Sequence, residues 1–140
     1  MNKILLNVLL ASSLCSVSLT ALATEEYNLD FSVYKSAGGE PELLNEVNTL
    51  IKADENANPM VSSLHFKNQD SSKSYELQSY LEKGIGKNYP YLFKFKSEKT
   101  SLRGIEQFIL SEKVLLKPNE ITTIEKSPYT VKIKISPLTK

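Results

Sequence analysis

Strict alternation of apolar and polar side chains near the end of the 140-residue chain constrains its fold most strongly. In "SPYTVKIKISP", residues 127–137, every second residue is apolar, and these residues are Tyr129, Val131, Ile133 and Ile135. A period of two is typical of a strand with one buried face. The stretch "PYLFKFKS", residues 90–97, has the same pattern. Both stretches therefore predict strands with an apolar face inside and a lysine-bearing face outside.

The first 23 residues have the pattern of an export signal. Lys3 precedes an apolar stretch, which ends in the small-x-small sequence Ala21-Leu22-Ala23 that signal peptidase recognises. The alternative is a membrane anchor, but serines interrupt the apolar run and no stop-transfer segment follows. We expect residues 1–23 to be removed and residues 24–140 to form a single domain without a membrane span. The expected location is the periplasm, with secretion as the alternative.

The single cysteine, Cys15, lies inside the predicted signal. The mature chain would then have no disulfide, no thiol nucleophile and no thiolate metal site. Its charge is unevenly placed: residues 24–63 carry eight acidic and two basic residues, whereas residues 64–140 carry fourteen basic and eight acidic ones. We expect the two halves to complement each other within one fold and expect no nucleic-acid partner.

Three further stretches have recognisable periods. Residues 29–33 alternate and predict a first strand. The segment 64–77 predicts a hairpin around the polar "KNQDSSK", with a short helix through Leu77, Tyr80 and Leu81 as the alternative. In residues 41–53 the apolar side chains recur at helical spacing, and Pro41 suits a first helical turn. This segment predicts an amphipathic helix that contains Leu43, Leu44, Val47, Leu50 and Ile51.

Many short strands, frequent turns and one helix predict a mainly β fold, and we expect a β-sandwich of immunoglobulin type with one amphipathic helix at residues 41–53.

The sequence offers little that favours catalysis. His65, the only histidine, is expected on the solvent side of a strand, since alternation turns it away from Leu64 and Phe66. The "GIGK" of residues 84–87 lacks the spacing of a phosphate-binding loop, and no metal-binding motif occurs. We therefore expect a binding protein that has no enzymatic activity, no catalytic residues, no metal and no cofactor.

Four lysines are predicted on the outer faces of the two alternating strands: Lys94, Lys96, Lys132 and Lys134. Lysines at such positions keep a sheet soluble and discourage pairing between sheet edges. The alternative is a basic patch for an anionic partner. Nucleic-acid stacking would need aromatic side chains on the same face, and none are found there.

Three stretches together resemble the amino-terminal domain of periplasmic pilus-assembly chaperones. They are "LHFKNQDSSKSYELQSYLEKG", "FILSEKVLLKPNEITTIE" with Leu116, Pro118 and Glu120 in matching places, and "PYTVKIKISPL". The resemblance implies an immunoglobulin-like fold and a function in holding a pilin subunit through strand pairing. The chain differs from that family in having the length of one domain and a single arginine, Arg103.

The expected function is protein binding through an exposed strand edge, in the assembly of a pilus or other surface fibre, with a pilin or secreted subunit as partner. The predicted contact residues are Tyr129, Val131, Ile133 and Ile135. The sequence leaves open whether this edge is free or covered by the strand near Tyr27 or by the helix. The alternative function is a periplasmic inhibitor or immunity protein against a toxin, protease or lysozyme, acting through a loop such as "EKGIGKNYP".

Overall fold

The computed structural model describes residues 25–36, 38–54 and 59–138. In these residues the protein is mainly β, as predicted, and contains no helix. The predicted signal and Cys15 lie outside the described residues. No described segment forms a helix long and apolar enough to cross a membrane. The eight strands are β1 (Glu25–Lys35), β2 (Glu42–Ala53), β3 (Met60–Lys67), β4 (Ser71–Leu81), β5 (Tyr89–Ser101), β6 (Gly104–Leu116), β7 (Thr122–Lys126) and β8 (Tyr129–Pro137).

The strands follow one another around a sheet that is nearly barrel-shaped. Antiparallel ladders join β3, β4, β5 and β6 in that order, and other antiparallel ladders join β2, β1, β8 and β7. The two four-stranded halves are linked in the sheet by one parallel pair, Ala53 with Leu81. Last strand pairs with first, so β8 lies beside β1 along its whole length.

The immunoglobulin-like sandwich is not confirmed. That fold needs Greek-key connections, in which the chain crosses from one sheet to the other. Here consecutive strands pair as antiparallel neighbours from β3 to β6, in β1–β2 and in β7–β8, as in an up-and-down arrangement. Among the described residues, β2 does not pair with β3, and β6 does not pair with β7.

Alternating side chains from both halves fill the interior. Leu29, Phe31 and Val33 of β1 are fully buried, as the alternation predicts, and the Phe31 ring lies 5.3 Å from the Phe93 ring of β5. Phe95 lies 5.9 Å from Phe31 on the same side. Eight strands enclose a space just wide enough for side chains to fill. Phe93 and Phe95 of β5 are buried, and so are Val131, Ile133 and Ile135 of β8, as the alternation predicts.

The predicted helix at residues 41–53 is wrong, because this segment forms strand β2 and pairs with β1 from end to end. Val47, Ile51 and Ala53 are buried two or four residues apart, which is the alternation of a strand. Leu50, which the helix would bury, is 56% exposed. The apolar residues of this segment fit the period of a helix about as well as that of a strand. Pairing with β1, which is not a local interaction, favours the strand.

A β-bulge in β2 explains why the adjacent residues Leu43 and Leu44 imitate the spacing of a helix. The ladder pairs Val33 with Asn45 and then Tyr34 with Leu43, so Leu44 is the extra residue on β2. A bulge redirects the side chain it carries. Leu44 thereby packs against the core although its neighbour Leu43 stays exposed.

The predicted hairpin is confirmed. β3 and β4 pair from Met60 with Ser79 to Lys67 with Ser72, and the Asn68 N–H donates to the Ser71 carbonyl oxygen across 2.8 Å in the turn. The short-helix alternative through Leu77 and Leu81 does not occur, because both residues belong to β4 and are fully buried.

Candidate functional site

The edge predicted on β8 is covered. The strand near Tyr27, β1, pairs with β8 from Tyr129 to Pro137, and β7 pairs with its other edge as far as Ile133. Three of the four predicted contact residues, Val131, Ile133 and Ile135, are buried in the core. The fourth, Tyr129, is partly buried against Phe108. These side chains hold the barrel together and present no free apolar face.

The four predicted lysines lie in two separate places, two of them on β5 and two on β8. Along the sheet, β4, β2 and β1 lie between the lysines of β5 and those of β8. On β5, Lys96 lies 3.7 Å from the Glu98 carboxylate. On β8, Lys132 lies over the Tyr34 ring, 5.2 Å from its centroid. The structure thus does not bring Lys94, Lys96, Lys132 and Lys134 into one basic patch.

The structure does leave two neighbouring strands unpaired with each other, β2 and β3. Consecutive antiparallel strands usually join as a hairpin. In the described chain, however, β2 pairs along only one edge, with β1, and its other edge meets β4 only at Ala53 and Asp54, whose N–H donates to the Leu81 carbonyl oxygen across 3.2 Å. Among the described strands, β3 pairs only with β4. We call these two unpaired backbone edges the β2–β3 seam.

At its wide end the seam opens into a cavity of about 340 Å³, the β2–β3 cleft. Strand β2 contributes Glu42, Leu43 and Leu44 to its lining. The β3–β4 hairpin contributes the rest, which are Phe66, Asn68, Ser71, Lys73 and Tyr75. The cleft is therefore lined by apolar and polar side chains together, with one carboxylate and one ammonium group at its border.

The side of β3 that faces inward is only partly covered. Residues directly opposite each other in a ladder share a face, so Leu64 lies on the same face as its partner Tyr75. Tyr75 is buried, but Leu64 is 44% exposed and Phe66, two residues further on, is 54% exposed. No strand in the described residues pairs with the outer edge of β3 to cover them.

The β2–β3 cleft continues into the adjacent end of the barrel, where a second cavity of about 170 Å³ shares Glu42, Leu44, Lys73 and Tyr75 with it. Aromatic rings and charged side chains of both signs line this end. Burial and, secondly, the negative charge of Glu42 raise the pKa of Tyr75 above its usual value. The raised pKa keeps the Tyr75 hydroxyl protonated to higher pH than that of an exposed tyrosine.

The other seam of the barrel, between β6 and the β7–β8 pair, is closed by side chains. The rings of Phe108 and Tyr129 stack with centroids 3.8 Å apart. Lys126 of β7 reaches the Glu112 carboxylate of β6 at 3.3 Å. Among the residues that the structure describes, neither a ring stack nor an ion pair joins β2 to β3 at the wide end of their seam, and this difference singles it out as the candidate site.

A polar cluster lies at the opposite end of the barrel. The Tyr89 hydroxyl donates to the Glu25 carboxylate across 2.6 Å, and the Tyr27 hydroxyl lies 2.8 Å from the same oxygen. These hydrogen bonds, with that of Tyr89 the stronger influence, lower the pKa of Glu25 below its usual value. Burial, followed by the hydrogen bonds, raises the pKa of Tyr27. The cluster fastens the start of β1 to the start of β5.

The loop proposed for an inhibitor is a protruding tight turn. The Ile85 N–H donates to the Asn88 carbonyl oxygen across 2.9 Å, and Asn88 returns a hydrogen bond across 3.3 Å. Gly84 packs against Tyr89 so closely that a Cβ would lie 2.7 Å from a ring carbon. The Ile85 side chain at the tip is 81% exposed. The turn therefore presents an apolar side chain on an ordered support.

His65 lies on the exposed face of β3 opposite Ser74. Among the described residues, no group of three or more histidine, cysteine or acidic side chains could hold a metal ion. The absence of enzymatic activity stays a prediction.

The sequence predicts the secondary structure around the cleft residues but does not indicate that they form a site. Leu64 and Phe66 have the pattern of an ordinary half-buried strand, and Leu43 and Leu44 supported the wrong helix. Leu64 and Phe66 are exposed because no described strand pairs with the outer edge of β3. The local sequence contains no signal for the absence of such a neighbour.

No family model matches the chain, and neither the curated proteins nor the solved structures give a match.

Proposed function

We propose that this protein is an exported protein-binding domain that accepts an extended segment of a partner protein along the β2–β3 seam. The single observation that carries the proposal is the pair of unpaired backbone edges beside the β2–β3 cleft. The expected setting is the periplasm, in the assembly or handling of a surface fibre or secreted subunit. This proposal keeps the strand-pairing mechanism expected from the sequence but moves it from β8 to β2 and β3.

Strand addition has a clear physical basis. An incoming strand gains backbone hydrogen bonds from an open edge, and its alternate side chains gain affinity from apolar contacts. At this seam both components are present, since Leu64, Phe66 and Leu44 offer apolar contacts beside the edge. Proteins usually protect long unpaired edges because they invite aggregation. Two such edges side by side are consistent with an occupant.

The resemblance to pilus-assembly chaperones belongs to the same proposal. Those proteins lend a strand to a subunit, and the resembling stretches of this chain span most of residues 60–138. The immunoglobulin-like architecture that the resemblance implies is not needed for the mechanism. A free strand edge beside apolar side chains suffices on any sheet.

Site-specific photo-crosslinking in the envelope of the producing cells tests the proposal. The probe p-benzoylphenylalanine is placed at Phe66, in the cleft, and in a matched control at Ile109, which is 50% exposed on the outer face of β6. We expect a crosslink from position 66 to one peptide segment of one partner, and none to that segment from position 109. Equal labelling from both positions, or no labelling from position 66, would refute strand uptake at this seam.

A second candidate function is inhibition of a periplasmic enzyme or toxin, and the ordered turn with its exposed Ile85 favours it. In this case the partner would contact the turn and not the seam. The crosslinking probe placed at Ile85 would then label a toxin, protease or lysozyme. An Ile85→Asp substitution should abolish the binding of that protein, whereas Phe66→Asp should not.

A further inference from the structure

A row of aromatic rings runs from β3 across the end of the barrel to β8. Phe66 meets Tyr75 with centroids 6.3 Å apart in an edge-to-face arrangement, and Tyr75 stacks on Phe95 at 6.3 Å. Phe95 lies 6.4 Å from Phe108, which stacks on Tyr129. The three spacings from Phe66 to Phe108 lie in the range that aromatic pairs prefer, and the Phe108 and Tyr129 rings are closer still. The five rings therefore form a continuous series of contacts across the end of the barrel.

The row stops at an uncovered ring. Phe66 is the outermost member, and half of its surface is exposed beside the β2–β3 cleft. On the far side of the cleft stand Leu43 and Leu44, which are aliphatic and cannot continue the row. The cleft therefore lies where one more ring would fit between Phe66 and β2.

The border of the cleft also suits an aromatic ring. Lys73 pairs with Phe66 in the β3–β4 ladder, and no ion pair occupies its ammonium group among the described residues. A cation beside a ring is attracted to the face of that ring. Glu42 offers a carboxylate that accepts a hydrogen bond from a phenol or an indole.

We infer that the β2–β3 cleft binds one aromatic side chain of the partner's extended segment. This inference rests on the proposed function and adds the chemical class of the anchoring residue. The volume of about 340 Å³ is at the small end of ligand sites, which suits a single large side chain. The incoming ring extends the row beyond Phe66, while Leu44 covers its other face.

The test uses N-acetyl-phenylalaninamide as the probe and needs no partner. The ligand is titrated into the isotope-labelled protein, and chemical shifts of the Leu43 and Leu44 methyl groups and of the Phe66 and Tyr75 rings are followed. N-acetyl-leucinamide is the matched control ligand. We expect shifts at these four residues and an affinity for the aromatic amide roughly threefold to tenfold above that for the leucine amide.

Two variants keep the test independent of folding. Phe66→Ala alters a half-exposed side chain and should weaken binding of the aromatic amide by roughly threefold or more. Ile109→Ala, on the outer face of β6, should leave the binding unchanged. Equal affinity for the two amides, shifts centred elsewhere, or no effect of Phe66→Ala would overturn the inference.

Failure of the anchor and failure of strand uptake are distinguishable. If crosslinking from position 66 captures one partner segment but the amides bind equally well, strand uptake stands and the aromatic anchor is wrong. If the aromatic amide binds selectively but position 66 labels no segment, the proposed function is wrong.

Discussion

Phe108 of β6 and Tyr129 of β8 stack with ring centroids 3.8 Å apart, although no ladder joins their strands in the described part of the chain. The contact closes one seam of the barrel with side chains. Lys35 lies 5.8 Å from the centroid of the same Tyr129 ring. The proposed function depends on the contrast between the two seams. Side chains of the protein close the seam between β6 and β8, whereas the β2–β3 seam is open at its wide end.

Removing the Phe108 ring should loosen the closed seam. We expect Phe108→Ala to lower the free energy of unfolding by about 1–3 kcal/mol, since the residue is partly buried and loses both packing and a stacked partner. Urea denaturation measures this change. The control Ile109→Ala, one residue away on the outer face, should change the free energy by less than about 0.5 kcal/mol. Equal effects of the two substitutions would show that the stack does not close the barrel.

The cluster at Glu25 predicts a specific dependence of stability on pH. The pKa of Glu25 is lowered in the folded protein. The cluster's contribution is therefore fully present above the ordinary pKa of 4.5 and is lost as the pH falls through the lowered folded value. Tyr89→Phe removes the strongest of the hydrogen bonds, so it should reduce the loss of stability between about pH 6 and about pH 3.

Thermal or urea unfolding of the wild type and of Tyr89→Phe at both pH values measures this difference. Tyr34→Phe is the control, since Tyr34 lies on β1 outside the cluster. An undiminished acid loss in Tyr89→Phe would contradict the role of the hydrogen bonds to Glu25.

The assignment of residues 42–53 to a strand has its own test. In β2, Val47 is buried and Leu50 is exposed. We expect Val47→Asp to prevent folding or to destabilise the protein by more than about 3 kcal/mol, and Leu50→Asp to change stability by less than about 0.5 kcal/mol. A helix would place both side chains on one apolar face. Strong destabilisation by Leu50→Asp would therefore support the helix and contradict the strand.

Substitutions in the cleft should weaken binding of the partner without destabilising the fold. Leu64 and Phe66 are about half exposed, so Leu64→Asp and Phe66→Asp should leave the free energy of unfolding within about 1 kcal/mol of the wild type. Both should abolish capture of the partner segment that is crosslinked from position 66. Ile109→Asp, with matched exposure, should retain capture. Loss of capture in Ile109→Asp as well would mean that a general surface property, and not the cleft, is responsible.

The sequence predicted most of the strands because strict alternation reports directly on a half-buried strand. Leu29, Phe31 and Val33 of β1 are inside for this reason. It failed at β2, where the bulged Leu44 beside Leu43 imitates helical spacing and only the ladder with β1 resolves the ambiguity. It could not order the strands, because alternation shows which face is buried but not which strand lies alongside. The covering of β8 and the exposure of Phe66 both follow from that order.

Amide hydrogen exchange is the most direct test of strand uptake. The partner segment identified by crosslinking is synthesised as a peptide, and exchange is followed in the free and the peptide-bound protein. We predict that peptide binding slows the exchange of those β2 and β3 amides that have no partner among the described residues of the free protein. The amides of β8 from Tyr129 to Ile133, which already lie between β1 and β7, should be unchanged. Slowed exchange at the turn around Ile85, with β2 and β3 unaffected, would contradict the account.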